Sequence, residues 1–288
     1  GWQFVLGDKT SENWQTVNMP HTWNKDDAFD DEKGYHRGVG WYKKQLFFSA
    51  ESSKLEHYLH FKGVNQETDV YVNRHHIGNH KGGYTAFNFN ISKYINYDTY
   101  NLIEVKVDNT HNIDIPPLDA DFTFYGGIYR DVQLISKPKQ HISLSDFASD
   151  GFYVDYYHVS EDKVGVSVKV IIDNFENSKA SNVIKIILLD AEEQILQSQQ
   201  KILKINGNSS EVATIKFSEV KNPKLWSPES PYLYKLKLQL LDKHGNFLDE
   251  KWQNIGFRWV SVDADKGFFL NGKLIKLIGV NRHQDYKG

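Results

Sequence analysis

The chain has 288 residues, of which 40% are hydrophobic and 25% charged, a composition that is ordinary for a globular protein with room for two domains. Its formal net charge of −3 provides no basic surface for a phosphate backbone, so we expect no nucleic-acid partner. The absence of cysteine excludes disulfides, thiolate catalysis and cysteine-based zinc sites, and it leaves the cellular compartment open. No apolar run reaches the roughly 20 residues of a membrane-spanning helix, so we expect no membrane span.

The first segment, residues 1–138, shows short runs in which apolar and polar residues alternate with a period of two. In residues 55–61 the odd-numbered side chains face one way and the even-numbered ones the other. Similar runs occur at residues 68–73, 102–107 and 128–134, separated by glycine, asparagine and aspartate. Because no stretch here carries a helical stripe of apolar residues, the pattern predicts a β-sandwich or jelly roll.

The second segment, residues 139–256, has longer and more aliphatic strands. Alternating runs at residues 164–173 and 232–241, with others at 183–189 and 212–217, are separated by turn signals such as Asn206-Gly207. About seven strands of this kind predict an immunoglobulin-like sandwich, here without its cysteine pair. Few of its residues have side chains suited to catalysis or ligand binding, so we expect this sandwich to have a structural role.

The last segment, residues 257–288, contains two apolar runs that are divided by Asn271-Gly272, a dipeptide typical of tight hairpin turns. The second run, residues 274–280, is continuous, which favours a strand that is buried on both faces, as in a barrel. The polar residues 281–285 follow at its carboxyl end, where barrel proteins gather their ligand-binding groups. We therefore expect the front part of a larger protein that is cut where a barrel begins.

Two clusters of side chains suggest metal sites, but their spacing does not favour one. The acidic residues among positions 26–32 lack the spacing of a calcium loop and predict a solvated loop. His75, His76, His80 and His111 lack the i, i+4 spacing of a zinc protease. The glycine-rich residues 81–84 lack the spacing of a phosphate-binding loop and predict a turn between strands.

Residues 114–130 form a more informative loop, with three acids, two prolines, four aromatic residues and the pair Gly126-Gly127. Carboxylates accept hydrogen bonds from sugar hydroxyls, and aromatic rings stack on the apolar face of a sugar. The same composition also suits an ordinary packed loop, and both interpretations stay open. A polar cluster follows at Asn281, Arg282, His283 and Asp285. For this cluster a functional role and a structural role both stay open, with equal weight.

Eight strings along the chain together resemble glycoside hydrolase family 2, which contains β-galactosidases and the related β-glucuronidases and β-mannosidases. In order they are PHTWN at 20–24, GWYKK at 40–44, FKGVNQETDVYVN at 61–73, GNHKGGYTAF at 78–87, DFTFYGGIYRDV at 121–132, LWSPESPYLY at 225–234, GFR at 256–258 and GFFLNGKLIKLIGVNRHQD at 267–285. They extend from one end of the chain to the other in the order of the family, which makes the set specific where one string would be weak.

The resemblance implies an all-β chain: an N-terminal jelly-roll sugar-binding domain at 1–138, an immunoglobulin-like sandwich at 139–256, and a linker, hairpin and first strand of a truncated (β/α)8 barrel at 257–288. Members of the family are retaining enzymes that use two glutamates with carboxyl groups about 5 Å apart. The family places both glutamates on later barrel strands, so the resemblance implies no catalytic residue in this chain. It implies no evident cofactor, leaves a divalent or monovalent metal ion open for the full-length enzyme, and favours export over a cytoplasmic location.

Two residues match sugar-binding positions of the family. Asp121 is similar to the jelly-roll aspartate that reaches the sugar, and His283 to the histidine that shapes the sugar subsite after the first barrel strand. The loop before the GWY string departs from the pattern, since residues 35–40 (YHRGVG) replace a loop that supplies a sugar-binding asparagine in β-galactosidases. Asn73-Arg74 replaces the family's Asn-Gly turn, which predicts a different turn type.

These observations predict the N-terminal part of a retaining exo-β-glycosidase that acts on a carbohydrate substrate, with β-galactosidase as the best match. β-Glucuronidase and β-mannosidase are the alternatives within the family, and homo-oligomerisation stays open. The rival class is a non-catalytic carbohydrate-binding protein of two sandwiches. The apolar run at 274–280 separates the two classes, because a stand-alone lectin has no use for an unpaired strand of this kind.

Overall fold

A computed structural model describes residues 1–31, 34–118 and 124–281, and strands dominate its regular structure. Its strands contain many valine, isoleucine and tyrosine residues, which fit a pleated and half-buried surface. The described residues include three short 3-10 helices and no α-helix, and none of their helices could span a membrane. Contacts divide the described chain into unit 1, residues 1–137, and unit 2, residues 138–281.

The described residues of unit 1 form nine strands and the three 3-10 helices. The strands are β1 (Trp2–Leu6), β2 (Gln15–Val17), β3 (Val39–Phe48), β4 (Leu55–Phe61), β5 (Glu67–Val72), β6 (His75–Lys81), β7 (Phe87–Asn90), β8 (Thr99–Asp108) and β9 (Val132–Pro138). The 3-10 helices are Asp27–Phe29, Ala50–Lys54 and Ser92–Tyr94.

These strands form two sheets that share one core. The larger sheet has the order β2-β1-β3-β8-β5-β6 and the smaller one the order β7-β4-β9. Tyr42, Phe61, Ile103, Val105 and Ile128 are completely buried in the core. The two-sheet arrangement confirms the predicted jelly-roll type of fold.

Strand β4 differs from the half-buried strand that its alternating sequence suggests, because both of its faces are covered. Glu56, His57 and Tyr58 are all buried, with exposed fractions of 4%, 1% and 0%. The buried polar groups find partners nearby: Asn90 on β7 donates to Glu56 Oε2 at 2.9 Å. Hydrogen bonding of this kind allows a polar side chain to be buried where its sequence pattern predicts exposure.

The turn between β5 and β6 keeps the geometry of the Asn-Gly turn that it replaces, so the predicted change of turn type is wrong. Asn73 and Arg74 have φ angles of 50° and 70°. Val72 pairs with His75 across them, as in a two-residue hairpin with positive φ at both central positions. The side chain of Asn73 fixes this turn, since its Oδ1 accepts a hydrogen bond from the Leu102 N–H at 3.0 Å.

Unit 2 contains the remaining strands. They are β10 (Gln140–Ile142), β11 (Phe152–Tyr157), β12 (Lys163–Asn174), β13 (Ala180–Leu189), β14 (Ile195–Ile205), β15 (Ser209–Lys216), β16 (Val220–Lys221), β17 (Tyr234–Leu241), β18 (Phe247–Ile255), β19 (Val260–Asp263), β20 (Gly267–Leu270) and β21 (Lys273–Leu274).

Two antiparallel sheets make up the sandwich of unit 2. In the first, β12 pairs with β10, β11, β15 and β16, and the second has the order β14-β13-β17-β18. The alternating residues predicted to share a face of β12, from Val164 to Ile172, are completely buried, and those of β17 from Tyr234 to Leu240 are 4% exposed or less. The sequence period therefore predicted which side chains form this core.

Strands β19, β20 and β21 form a small separate sheet at the end of the described chain. Asn271 and Gly272 have φ angles of 49° and 74°, which confirms the predicted hairpin turn. The predicted buried strand at 274–280 differs: β21 ends at Leu274, and Leu277, Ile278 and Val280 are 71%, 85% and 91% exposed. The Ile275 N–H still donates to the carbonyl of Phe268 at 2.9 Å, but no strand of the described residues pairs with 276–280. A strand of a parallel sheet forms only between such neighbours.

Candidate functional site

Two loops of unit 1 form the candidate functional site, and their described residues, 18–31 with 34–38 and 109–118 with 124–131, lie against each other. The backbone N–H of His21 donates to the carbonyl of Ile128 at 2.8 Å. The N–H of Asn109 donates to the carbonyl of Gly38 at 3.1 Å. These hydrogen bonds join the paired loops at two points, so they bring together side chains that are far apart in sequence.

Asn24 is fully buried at the centre of the paired loops. Its Nδ2 donates to the carboxylate of Asp27 and to the carbonyl of His36, both at 2.8 Å. Its Oδ1 accepts from the N–H of Gly126 at 2.6 Å and from Nδ2 of Asn109 at 3.4 Å. An asparagine amide offers two donors and a carbonyl with two lone pairs, so these four contacts satisfy it completely. Asn24 therefore holds both loops in one arrangement.

Asp27 belongs to this framework, whereas its acidic neighbours are exposed. Its Oδ2 accepts a hydrogen bond from the backbone N–H of His36 at 2.6 Å, besides the one from Asn24. Asp26, Asp30 and Asp31 are exposed, as a solvated loop requires, and Glu32 lies outside the described residues. The carboxylate of Asp27 is thus a structural acceptor.

The histidines that were considered as metal ligands contact other groups. His76 Nε2 lies 2.8 Å from the carboxylate of Asp69, and the ring of His80 stacks on Phe87 with centroids 4.1 Å apart. Among the described residues, no three His, Cys, Asp or Glu side chains form a group that could hold a metal ion.

The indole ring of Trp23 packs against two glycines of the family strings. A Cβ atom at Gly40 would lie 2.7 Å from its Cζ3, and one at Gly126 would lie 2.2 Å from its Cζ2. The ring also stacks on Phe4, with centroids 5.8 Å apart. Because these contacts leave no room for a side chain, glycine is required at both positions for packing reasons.

A second group in the paired loops has a different character and is here named the arginine clamp: Tyr35, Arg37 and Phe124. The guanidinium carbon of Arg37 lies 5.1 Å from the ring centroid of Tyr35 and 5.1 Å from that of Phe124. Its Nη2 donates to the Tyr35 hydroxyl at 2.9 Å. The two ring centroids are 6.1 Å apart. Cation–π contacts to both rings and one hydrogen bond therefore fix the orientation of the guanidinium.

Two further tyrosines lie near the clamp. The Tyr129 hydroxyl donates to the carbonyl of Gly83 at 2.6 Å, and Nη1 of Arg130 donates to the carbonyl of Tyr84 at 3.3 Å. Burial raises the pKa of the Tyr84 and Tyr129 hydroxyls, and the nearby hydroxyls of Tyr129 and Tyr35 raise the pKa of Tyr84 further. A neutral tyrosine hydroxyl both donates and accepts hydrogen bonds, as a contact with a sugar hydroxyl requires.

The two predicted sugar ligands, Asp121 and His283, lie outside the described residues, as do Arg282 and Asp285. Asn281 is described and exposed. Phe124 follows Asp121 by three residues in the sequence, which places the clamp directly beside the predicted ligand along the chain. The roles of Asp121 and His283 as sugar ligands stay predictions.

Tyr35 and Arg37 are candidate functional residues that sequence reasoning did not single out. The string at 35–40 was noted only as a departure from a sugar-binding loop. The charge of Arg37 within this string was the available signal. Its contact with Phe124 could not be foreseen, because the two residues are distant in sequence and meet only in the folded unit.

Comparison with known proteins matches both units to one family. The sequence model described as "Glycosyl hydrolases family 2, sugar binding domain" matches residues 10–138. The model described as "Glycosyl hydrolases family 2" matches residues 149–258. Together the two models cover most of the chain.

Individual relatives carry two different names. A β-glucuronidase of Bacteroides fragilis is 37% identical over 286 residues, which are 99% of this chain and 40% of that protein. A β-galactosidase of Thermoanaerobacter pseudethanolicus is 33% identical over 288 residues, which cover 97% of this chain and 36% of that protein. The crystal structure of a Bacteroides uniformis β-glucuronidase superimposes with a TM-score of 0.95 and 36% identity, covering 100% of this chain and 35% of that one. The chain thus spans about two fifths of the length of these curated relatives.

Proposed function

Since the chain belongs to glycoside hydrolase family 2, we propose that it is the N-terminal part of a retaining exo-β-glycosidase, in which unit 1 contributes to the pocket for the terminal sugar. The match of unit 1 to the family's sugar binding domain is the observation that carries this proposal. The rigid arrangement of the paired loops around Asn24 supports it, because a binding loop loses less entropy when its conformation is already fixed.

The bond-breaking step belongs to a part of the enzyme that this chain does not supply. A retaining glycosidase needs an acid/base carboxyl group and a nucleophilic one about 5 Å apart. The family resemblance assigns both to later barrel strands, so we expect residues 1–288 to bind or shape the sugar site without hydrolysing a glycoside. Hydrolysis by residues 1–288 would contradict this assignment.

Two specificities compete for the full-length enzyme. The sequence strings match β-galactosidases best, whereas the Bacteroides fragilis relative, named a β-glucuronidase, shares more residues with the chain than the β-galactosidase of Thermoanaerobacter does. Assays of the full-length enzyme on aryl β-galactoside, β-glucuronide and β-mannoside would decide between them. Full-length protein that hydrolyses none of the three would contradict the proposed glycosidase activity.

Asp121 and His283 are the residues that we assign to the terminal-sugar subsite. In the full-length enzyme, Asp121→Ala should lower kcat/KM by roughly 10- to 100-fold, since a hydrogen bond to a charged group contributes about 1.5–3 kcal/mol. His283→Ala should lower kcat/KM as well, and circular dichroism should show an unchanged fold in both variants. Kinetics equal to those of the wild type would remove either residue from the subsite.

A further inference from the structure

The arginine clamp presents a positive charge with a fixed orientation in the paired loops. Two neighbouring rings, with centroids 6.1 Å apart and each 5.1 Å from the Arg37 guanidinium carbon, restrict the side chain. The hydrogen bond from Nη2 to the Tyr35 hydroxyl uses one of the five N–H donors of a guanidinium. The side chain is half-buried, so it is partly shielded from the water that would weaken an ionic contact.

No carboxylate of the described residues forms an ion pair with Arg37. Asp27, an acid of the paired loops, instead accepts hydrogen bonds from Asn24 and from the backbone of His36. A structural arginine in a protein interior usually pairs with an acid of its own chain, because an unpaired buried charge is costly. In the part of the chain that the structure describes, the remaining N–H donors of Arg37 are therefore open to an external anion.

We infer that Arg37 recognises the carboxylate of an acidic sugar, that is, a substrate that contains a uronic acid. A guanidinium is planar, and its paired N–H groups match the two oxygens of a carboxylate in a bidentate contact. The flanking rings of Tyr35 and Phe124 suit the apolar C–H face of a sugar ring. A neutral hexose has no anionic group for Arg37, whereas the uronic acid of the same configuration differs from it only by a carboxylate at C6.

This inference rests on the proposed function, because it places the carboxylate in the sugar pocket to which unit 1 contributes. It names the substrate class that the comparisons leave divided between two specificities. The alternative is a structural role, in which Arg37 only holds the first of the paired loops against Phe124. The two roles differ in one measurable property, since a structural arginine does not distinguish an acidic substrate from its neutral counterpart.

The test uses the full-length enzyme and two matched pairs of aryl substrates: β-glucuronide with β-glucoside, and β-galacturonide with β-galactoside. Arg37→Met keeps the length of the side chain and removes its charge. We expect it to lower kcat/KM for the uronides by about 10- to 100-fold, mainly through KM, and to change kcat/KM for the neutral partners by less than about threefold. Arg37→Lys keeps the charge without the planar fork. Its kcat/KM for the uronides should therefore lie between that of the wild type and that of Arg37→Met.

Arg74→Met is the matched control, because it removes the same charge from the turn between β5 and β6. It should leave the ratio of acidic to neutral kcat/KM unchanged. Equal losses of kcat/KM on both members of a pair in Arg37→Met would show a structural role, and unchanged kcat/KM on both members would show that Arg37 does not contact the carboxylate. Either result overturns the inference.

A binding measurement separates failure of this inference from failure of the proposed activity. Titration of the full-length protein with glucuronate and glucose, and with galacturonate and galactose, requires no hydrolysis. Tighter binding of the uronates by the wild type, lost in Arg37→Met, would support the inference even if no aryl glycoside were cleaved. Equal affinity of the wild type for uronates and neutral sugars would overturn it whatever the assays show.

Discussion

At the scale of single residues, the paired loops combine packing that tolerates no extra atom with hydrogen bonding that is fully satisfied. Gly126 contributes to both, since its N–H donates to Oδ1 of Asn24 and its Cα lies under the ring of Trp23. This rigidity favours sugar binding, because a loop whose conformation is already fixed loses little further conformational entropy when the ligand binds. The glycine pair of the family string is therefore a packing requirement of the site.

The first prediction concerns Gly126→Ala in this chain. The new Cβ would lie 2.2 Å from Cζ2 of Trp23 and 2.6 Å from Nδ2 of Asn109, so the ring or the loop must move. We expect a loss of about 1–3 kcal/mol in the free energy of unfolding, as for other overpacked sites. Urea denaturation of both proteins provides the measurement. Gly279→Ala is the control, because a Cβ there meets nothing within 4 Å. Equal stability of the two variants would contradict the packing assignment.

The residue scale also shows where sequence reasoning stops. The strings that contain Trp23 and Gly126 were identified from the sequence, but their mutual contact was not, because 102 residues separate Asn24 from the N–H that it binds. The arginine clamp was not predicted either, because Phe124 is distant in sequence from Tyr35 and Arg37. Spacing along the chain predicts local geometry, whereas a site built by two distant loops depends on how the sheets between them pack.

At the scale of elements, one hairpin turn was predicted correctly from the sequence and the other was not. Asn271-Gly272 forms the expected turn because its backbone requirement is local and glycine meets it at no steric cost. The turn at Asn73-Arg74 adopts the same geometry with an arginine at a φ of 70°. Side-chain contacts of Asn73 to Leu102 and Asn101 fix that turn, so the tertiary structure overrides the preference of Arg74.

The second prediction follows from that turn. Arg74→Gly should raise the free energy of unfolding by about 0.5–1 kcal/mol, because relief of the left-handed strain exceeds the extra chain entropy that glycine loses on folding. The mirror variant Gly272→Arg should lower the free energy of unfolding, since Gly272 has a φ of 74°. Urea denaturation of each variant against the unchanged chain gives both values. A loss of stability in Arg74→Gly would mean that the arginine side chain stabilises the turn by more than its strain costs.

At the scale of the whole molecule, the apolar period predicted both sandwiches but not the state of residues 274–280. In each sandwich the alternating apolar residues of the central strands pack into a core within the unit, so the pattern indicates which of these side chains are buried. Residues 276–280 continue this apolar run without a partner strand among the described residues, and Leu277, Ile278 and Val280 are exposed. An apolar run predicts that its burial would be favourable. The run is buried only where another apolar surface packs against it.

The third prediction is that the full-length enzyme buries this segment. The chain spans about two fifths of its curated relatives, and Ile278 and Val280 are 85% and 91% exposed in it. Burial of each side chain would contribute about 1.5–3 kcal/mol, and a buried lysine would add a desolvation cost. The double variant Ile278→Lys with Val280→Lys should therefore destabilise the full-length enzyme by several kcal/mol, whereas in residues 1–288 it should leave the unfolding midpoint nearly unchanged and reduce binding of a hydrophobic dye.

The control for that experiment is Ile195→Lys with Ile202→Lys on β14, where the two isoleucines are 65% and 66% exposed. Substitutions at exposed positions change stability by about 0.5 kcal/mol or less, so this pair should have little effect on residues 1–288. We expect the same small effect in the full-length enzyme, because β14 belongs to a sandwich whose core is complete. If the two double variants lowered the stability of the full-length enzyme equally, residues 275–280 would have no special burial there. The apolar run would then be a surface feature of the sandwich, and the assignment of this segment to a barrel strand would lose its physical basis.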